Sequence, residues 1–330
     1  MTKKIKDSKP NLAGVPEEIQ ANIKKDLKRI KNKVLAEGEL LRIGVSVSDN
    51  ENLAQLGYSP IHLKDLMIEI VRSLLINNFM VVYGGDLRKE GYTMVFSDLA
   101  RQYTSIHASK TMFFENYFAF PISCELTRGN ELDFKQNRSL AIKVSPPASL
   151  CIEEQSYIPP DTVENRFIWA RSLSYMRQIM IKKSDARILI GGKVNNYLGY
   201  MPGVMEEAHI TLEQQIPLYL VGAYGGCAQY VAAAICGKEL PFKVDAFHTS
   251  DAYVEFRDYY NAHAKDQTID FARVEHYFQQ YGLKKLAKNN GLSMDENRRL
   301  FITPHINEIL YLIFKGLRKV NGIKSSFGNS

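Results

Sequence analysis

The chain is 330 residues long, 45% of them hydrophobic and 24% charged, with a formal net charge of +6. This composition is typical of a globular protein and excludes extensive disorder, and the length allows one large domain or two ordinary ones. Residues 1–38 contain ten Lys or Arg and five Asp or Glu, so the other 292 residues carry a net charge of only +1. A nucleic-acid partner is therefore not expected, because such a binder carries a basic face on its fold.

The cysteines and the first residues bear on the cellular compartment. Four cysteines without a CxxC pair are too few for a disulfide framework and fit a reducing environment. The opening residues, MTKKIKDSKPN, are polar, so no signal peptide is expected. The apolar runs are shorter than a bilayer-spanning helix requires. These features predict a cytoplasmic protein with no membrane span.

The first predicted helix starts at Val15-Pro16 and ends near Gly38. Its apolar residues form a single stripe among lysines: Ile19, Ile23, Leu27, Ile30 and Val34. This basic segment has three interpretations, which are packing on the rest of the protein, pairing with another subunit, and contact with an anionic surface. We favour packing or self-association because the stripe is only one face wide.

Strands and helices then alternate from residue 40 to residue 240. Strands are predicted over 41–47, 79–83, 116–122, 139–144, 187–190 and 217–221, and helices over 60–77, 92–103, 161–183, 202–215 and 226–236. The stretch 127–138 is polar and separates the third strand from the fourth. Short unbroken apolar strands between amphipathic helices predict a Rossmann-like α/β fold, with a mostly parallel sheet covered by helices on both faces.

Beyond Pro241 the pattern contains no clear strand. Helices are predicted near 249–263, 269–289, 295–303 and 304–320. We therefore divide the chain into a basic N-terminal tail and helix (1–38), a Rossmann-like domain (39–240) and a C-terminal helical extension (241–330).

Ligands of open parallel sheets bind beyond the carboxyl ends of the strands. Four predicted strand ends carry small residues: Ser46 and Ser48, Gly84 and Gly85, Gly191 and Gly192, and Gly225 and Gly226. Glycine lets the backbone approach a phosphate, and a helix N-terminus presents unpaired N–H groups to an anion. The alternative is that these glycines only make tight strand-to-helix turns.

The richest segment runs from Gly191 to Ala208 and reads GGKVNNYLGYMPGVMEEA. A polar loop with Lys193 and Asn195 follows the glycine pair, and Pro202-Gly203 opens a helix. Glu206 and Glu207 lie in its first turns, where carboxylates favour the helix dipole or accept hydrogen bonds from ribose hydroxyls. Neighbouring helical positions point about 100° apart, so at most one of the two is expected to face the crevice.

Two segments carry a family resemblance. VVYGGDLRKEGYTMVFSDLA resembles the YGG…G strand-turn-helix of the SLOG superfamily, which unites the "Lonely guy" hydrolases with DNA-processing DprA-type proteins. GG…PGVMEEA resembles that group's PGGxGTxEE motif, with Gly203, Glu206 and Glu207 on matching positions. The opening GVSVSDNENLAQLGYSPIHLKDLMIEIVRSLL is similar to the SLOG branch of bacterial conflict systems, often fused to TIR-type effectors. The resemblance implies sensing of a nucleotide-derived signal.

The chain departs from the hydrolase pattern at three points. Val204 replaces a hydroxyl residue that helps to hold phosphate, residues 193–201 form an inserted loop, and Asp86 stands where a small residue is usual. The resemblance still allows a phosphoribohydrolase-like N-glycosidase acting on a nucleoside monophosphate. In that case it makes Glu207 the catalytic carboxylate and Arg88 or Arg171 a phosphate partner.

The function expected first is binding of a nucleotide-derived small molecule by a homo-oligomeric sensor in defence or stress signalling. A partner effector protein would supply the output, because no effector domain is identified. The hydrolase is the first alternative, and an assembly protein with a vestigial crevice is the second. Seven scattered histidines without ligand spacing predict no metal site, and no cofactor is expected.

Overall fold

The computed structural model describes residues 40–85, 87–88, 91–104, 112–153, 156–238 and 247–321. The predicted N-terminal helix, Asp86, and the chain end after residue 321 lie outside these residues. None of the helices in the described ranges is long and apolar enough to cross a bilayer.

Six parallel strands form one sheet. They are β1 (Arg42–Ser48), β2 (Met80–Gly84), β3 (Phe114–Ala119), β4 (Ser139–Val144), β5 (Ala186–Gly191) and β6 (Leu218–Val221). The strand order is β4-β3-β2-β1-β5-β6. β1 pairs with β5 over six residues, with Gly44 opposite Arg187 and Ser48 opposite Gly191. The chain thus builds the sheet outward from β1 in one direction and then returns to its other side, which creates a switch point between β1 and β5.

The described residues form ten α-helices. They are α1 (Pro60–Ile76), α2 (Tyr92–Thr104), α3 (Arg128–Gln136), α4 (Val163–Lys182), α5 (Gly203–Glu213), α6 (Gly226–Ile235), α7 (Asp251–His263), α8 (Phe271–Asn290), α9 (Met294–Ile302) and α10 (Ile306–Asn321). Each of the six strands is followed along the chain by at least one of them.

Helices cover both faces of the sheet, as neighbouring residues of β2 demonstrate. The Val82 side chain packs in an apolar cluster with Met176 and Met180 of α4. The Tyr83 ring instead contacts Phe96 of α2, with ring centroids 5.2 Å apart. Successive side chains of a strand point to opposite faces, so α2 and α4 lie on opposite sides of the sheet. The predicted Rossmann-like α/β fold is confirmed.

One local prediction between residues 116 and 138 was wrong, and one helix there was not predicted. The third strand ends at Ala119 rather than at residue 122, because Pro121 has no N–H to donate to a strand ladder. The polar stretch after it contains α3. A capping box starts this helix, in which the Asn130 N–H donates to Thr127 Oγ1 at 3.1 Å. Phe134 is its one buried residue among those described, so no apolar stripe marked it in the sequence.

The C-terminal helices pack against the end of the sheet formed by β6. Asn289 Oδ1 accepts a hydrogen bond from the Leu218 N–H at 2.9 Å, and Asn290 Nδ2 donates to the Leu218 carbonyl at 2.9 Å. Buried residues of α5 and α6 share one apolar cluster with Phe256, Tyr260 and Phe278. The end of α8 therefore satisfies backbone groups of β6, and α7 and α8 bury the helices beside it.

Candidate functional site

The glycine turns after β5 and β6 contact each other directly. The Cys227 N–H at the start of α6 donates to the Gly192 carbonyl at 3.0 Å. A Cβ on Gly226 would lie 2.4 Å from that same oxygen, and Gly226 has φ of 63°. Glycine is thus required at position 226 for this close contact between the two loops, and the Cys227 N–H, in the first turn of α6, is occupied by protein.

The end of β1 fixes these loops to the centre of the sheet. The Ser48 carbonyl accepts a hydrogen bond from the Gly192 N–H at 2.9 Å, and Ser48 Oγ accepts one from the Lys193 N–H at 2.9 Å. Asn50 Nδ2 donates to the Tyr224 carbonyl at 3.0 Å. The loops that follow β1, β5 and β6 therefore form one connected rim, from which the exposed side chain of Lys193 projects.

On the other side of β1, the turn after β2 is similarly tight. A Cβ on Gly85 would lie 2.1 Å from Thr93 Oγ1 and 2.5 Å from Asn116 Oδ1, so glycine is required there. Arg88 is exposed at this turn. The Tyr92 hydroxyl lies 3.5 Å from Asp49 Oδ1. Burial and Asp49 raise the pKa of Tyr92, and nearby Arg88 opposes them.

The acid pair of α5 lies beneath this rim, between the sheet and the helices. Glu207 Oε2 accepts hydrogen bonds from Ser46 Oγ and from Arg187 Nη1, the latter at 2.7 Å. Glu206 Oε2 accepts one from Arg177 Nη1. Glu206 is fully buried and Glu207 is 8% exposed. Ser46 was predicted at a strand end, but it lies within β1 and its side chain points to the face that carries Glu207.

Two glycines make room for the arginines that hold these acids. Arg187 is fully buried in β5, and a Cβ on Gly44 of the neighbouring strand would lie 2.7 Å from its guanidinium. A Cβ on Gly203 would lie 2.6 Å from Arg177 Nη2. We had not selected Arg177 or Arg187 from the sequence. The available signal was the charge of Arg187 inside the apolar strand RILI, because a fully buried charge requires a partner.

Two arginines and two carboxylates meet in this buried cluster, and burial lowers the pKa of Arg187 despite the opposing effect of Glu207. Arg177 Nε also lies 3.5 Å from Glu207 Oε1, so both arginines face the acid pair. Burial raises the pKa of Glu206, and Arg177 opposes that shift. Burial lowers the pKa of Arg177, but Glu206 and Glu207 outweigh it, so that pKa is raised. The two carboxylates are therefore neutralised within the protein, and neither projects freely into the crevice.

Three further side chains, those of Arg171, Tyr197 and Cys227, have protein partners. Arg171 Nη2 pairs with Asp266 Oδ2 at 2.9 Å, and the Tyr197 hydroxyl donates to that of Tyr253 at 3.0 Å. Burial raises the pKa of Cys227, whose thiol donates to the Lys193 carbonyl. Half-buried Asn195, by contrast, has a buried Oδ1 with no hydrogen-bond partner among the described residues.

A parallel sheet that reverses direction at β1 and β5, with glycine turns meeting at its carboxyl edge, defines this protein as a Rossmann-like α/β protein. A protein-family model described as SLOG cluster2 matches residues 38–300, and the chain belongs to that family.

Other comparisons are more distant. Among solved structures, the chain is similar to the X-ray structure of TM1055, a structural genomics target, at 15% sequence identity and a TM-score of 0.34. That similarity covers 58% of this chain and 81% of the other. No curated protein matches the chain with significance.

Proposed function

We propose that this protein binds a nucleotide-derived small molecule at the carboxyl edge of its sheet, beside the β1–β5 switch point, and does not cleave it. Membership of the SLOG cluster2 family and the Rossmann-like fold support binding of this class of ligand. The commitment of both α5 carboxylates to buried arginines supports binding without hydrolysis. A glycosidase needs a carboxylate that reaches the ribose or a water molecule, and Glu207 already accepts from Ser46 and Arg187.

The phosphate would be held at the rim, between the two strands that flank β1. Arg88 follows β2 and Lys193 follows β5, and both side chains are exposed. Parallel strands end at the same edge, so the two cations lie on either side of the end of β1. We assign Ser48, Gly84, Gly85, Gly191, Gly192 and Asn195 to the surrounding rim, and Ser46, Gly203, Glu206 and Glu207 to the layer that supports it.

The output of such a protein would be assembly or contact with an effector, coupled to ligand occupancy. A role in bacterial defence or stress signalling stays a prediction, as do the homo-oligomer and the division of the chain near residues 38 and 240. Native mass spectrometry of the freshly purified protein tests assembly, because it reports subunit number and any retained ligand together.

The binding proposal is tested with thermal unfolding of the full chain against nucleoside mono- and diphosphates, ADP-ribose and cyclic ADP-ribose isomers. A ligand at 100 times its Kd stabilises the folded state by about 2.7 kcal/mol, so Tm should rise.

Lys193→Ala should weaken binding of the active compound about tenfold or more, because a charge-assisted hydrogen bond contributes roughly 1.5–3 kcal/mol. Lys284→Ala, an exposed lysine of α8, is the matched control and should bind normally.

Chromatography of the same mixtures distinguishes the alternatives. Release of free base by the native protein, lost in a Glu207→Gln variant that circular dichroism establishes to be folded, would establish the hydrolase instead. If no compound raises Tm, the binding proposal fails and an assembly protein with a vestigial crevice becomes the leading interpretation.

A further inference from the structure

A cavity of about 350 Å³ lies away from the rim, between α4, α5, the α7–α8 connection and α8. Tyr200 and Met201, which precede α5, close one side of it. Neither Arg88 nor Lys193 lines it. Its volume is within the range of small-molecule sites, roughly 300–1,000 Å³.

Four side chains of the lining carry aromatic or imidazole rings, and these are Tyr175, Tyr200, His209 and Tyr277. The His209 imidazole packs against Tyr277 of α8, with ring centroids 4.4 Å apart. Tyr200 is stacked on Tyr260 of α7 at 5.7 Å, with the rings 10° from parallel, so its orientation is fixed by packing. Burial lowers the pKa of His209, and Glu213, whose Oε2 lies 3.5 Å from His209 Nδ1, opposes that shift.

The polar groups of the cavity are mixed in kind and nearly balanced in charge. Arg171 is held at one end, because its Nη1 donates to Gln267 Oε1 at 3.2 Å and its Nη2 pairs with Asp266. The lining contains two arginines against three carboxylates, and these five residues are Arg171, Arg273, Glu213, Asp266 and Asp270. This balance disfavours a phosphate, whereas it leaves donors and acceptors for an uncharged ligand.

We propose that this cavity is a second binding site, which takes an uncharged nucleobase or nucleoside. A planar heteroaromatic ring packs against tyrosine and imidazole rings, and its ring nitrogens, carbonyls and amino groups match the side-chain amides of Gln178 and Gln267 in the lining. The site is distinct from the rim in both position and charge. The proposal of a second site is therefore independent of the proposal that the rim binds phosphate.

The test is isothermal titration calorimetry of the full chain with the free bases adenine, guanine, cytosine and uracil and with their nucleosides. At least one of them should bind with a stoichiometry of one per chain, and in Lys193→Ala, where the rim is weakened, its 5′-monophosphate should bind no more tightly than the nucleoside. Gln178 is an exposed α4 residue of the cavity lining, so Gln178→Trp should occlude the cavity and weaken binding at least tenfold. Gln280→Trp, at an exposed α8 position outside the lining, is the matched control and should bind as the native protein does.

A second variant, His209→Ala, removes one ring of the cavity lining together with its hydrogen-bonding nitrogens, and should also weaken binding at least tenfold. Circular dichroism establishes that both variants are folded. Lys193→Ala should leave nucleoside binding unchanged. The proposal is overturned if no base or nucleoside binds, if folded Gln178→Trp and His209→Ala bind normally, or if binding is lost in Lys193→Ala alone, which would place the nucleoside at the rim.

Discussion

At the scale of single residues, two glycines lie at positions where no turn requires them. The arginines that pair with Glu206 and Glu207 explain both. Gly44 lies in the middle of β1, yet its missing side chain leaves the space in which the Arg187 guanidinium lies. Gly203 does the same for Arg177 at the start of α5. Two buried ion pairs are thus accommodated because two backbone positions carry no Cβ.

Gly44→Ala tests this arrangement. The added methyl group would meet a guanidinium that cannot move without leaving Glu207, so we expect the free energy of unfolding to fall by about 1–3 kcal/mol. Urea denaturation measures the change. The control is Gly129→Ala in exposed α3, where the nearest atom is 3.6 Å away. It should be neutral or stabilising by up to about 1 kcal/mol, and equal losses in both variants would refute the explanation.

Glu207→Gln tests how much the ion pair between Glu207 and Arg187 contributes to stability. It leaves Arg187 buried without a negative partner, so we expect a loss of about 3–5 kcal/mol in the free energy of unfolding. Adding Arg187→Met removes the unpaired charge and should recover most of that loss, because an apolar pair of similar size replaces the ion pair. A double variant as unstable as the sum of the two single variants would argue against direct pairing.

At the scale of elements, the end of α8 acts as a cap on β6. Fully buried Asn290 donates to the Leu218 carbonyl and to Asn297 Oδ1, and accepts from the Leu292 N–H at 3.0 Å. One side chain therefore connects the strand, the end of α8 and the start of α9. Such a position is expected to be sensitive, because each buried group left without a partner costs roughly 1–3 kcal/mol.

Asn290→Ala should accordingly lower the free energy of unfolding by at least about 2 kcal/mol. Amide hydrogen exchange should localise the effect to β6 and the start of α9. Asn77→Ala is the control, because its Nδ2 donates to the Ser73 carbonyl at an exposed helix end, where water replaces the bond. Faster exchange confined to the loop after α8 would mean that the hydrogen bond from Asn290 to Leu218 does not stabilise β6.

At the scale of the whole molecule, the C-terminal helices and the sheet depend on each other. A Cβ on Gly222, just after β6, would lie 2.5 Å from the Phe301 carbonyl of α9. The apolar cluster of α5 and α6 is completed by large side chains of α7 and α8, among them Phe256 and Phe278. Without them, β6 and α6 would expose apolar surface to water.

A chain that ends at Lys238 should therefore fail to unfold cooperatively, and we expect it to aggregate or to bind a hydrophobic dye. Circular dichroism and dye fluorescence are the measurements, with the full chain as reference. A truncated chain with a sharp transition near the full-length Tm would instead establish residues 39–238 as an independent domain.

Most elements could be predicted from the sequence because their signals are local. Helix α1 carries its apolar stripe within seventeen residues, and β5 is a continuous apolar run ending on Gly191-Gly192. Helix α3 was not predicted because it lacks such a local signal: Phe134 is its one buried residue among those described, so its sequence carries no apolar stripe. The rim was predictable too, because the carboxyl ends of parallel strands meet at one edge.

The sequence by itself thus determined the Rossmann-like fold, the position of the rim and the presence of an acid pair at the start of α5. Only the tertiary structure decided what surrounds those acids. Glu207 meets Ser46 across 161 residues of chain, and Glu206 meets Arg177 across 29. No local pattern encodes such pairs, because a carboxylate in a first helical turn looks the same in sequence whether it faces solvent, a ligand or a buried guanidinium.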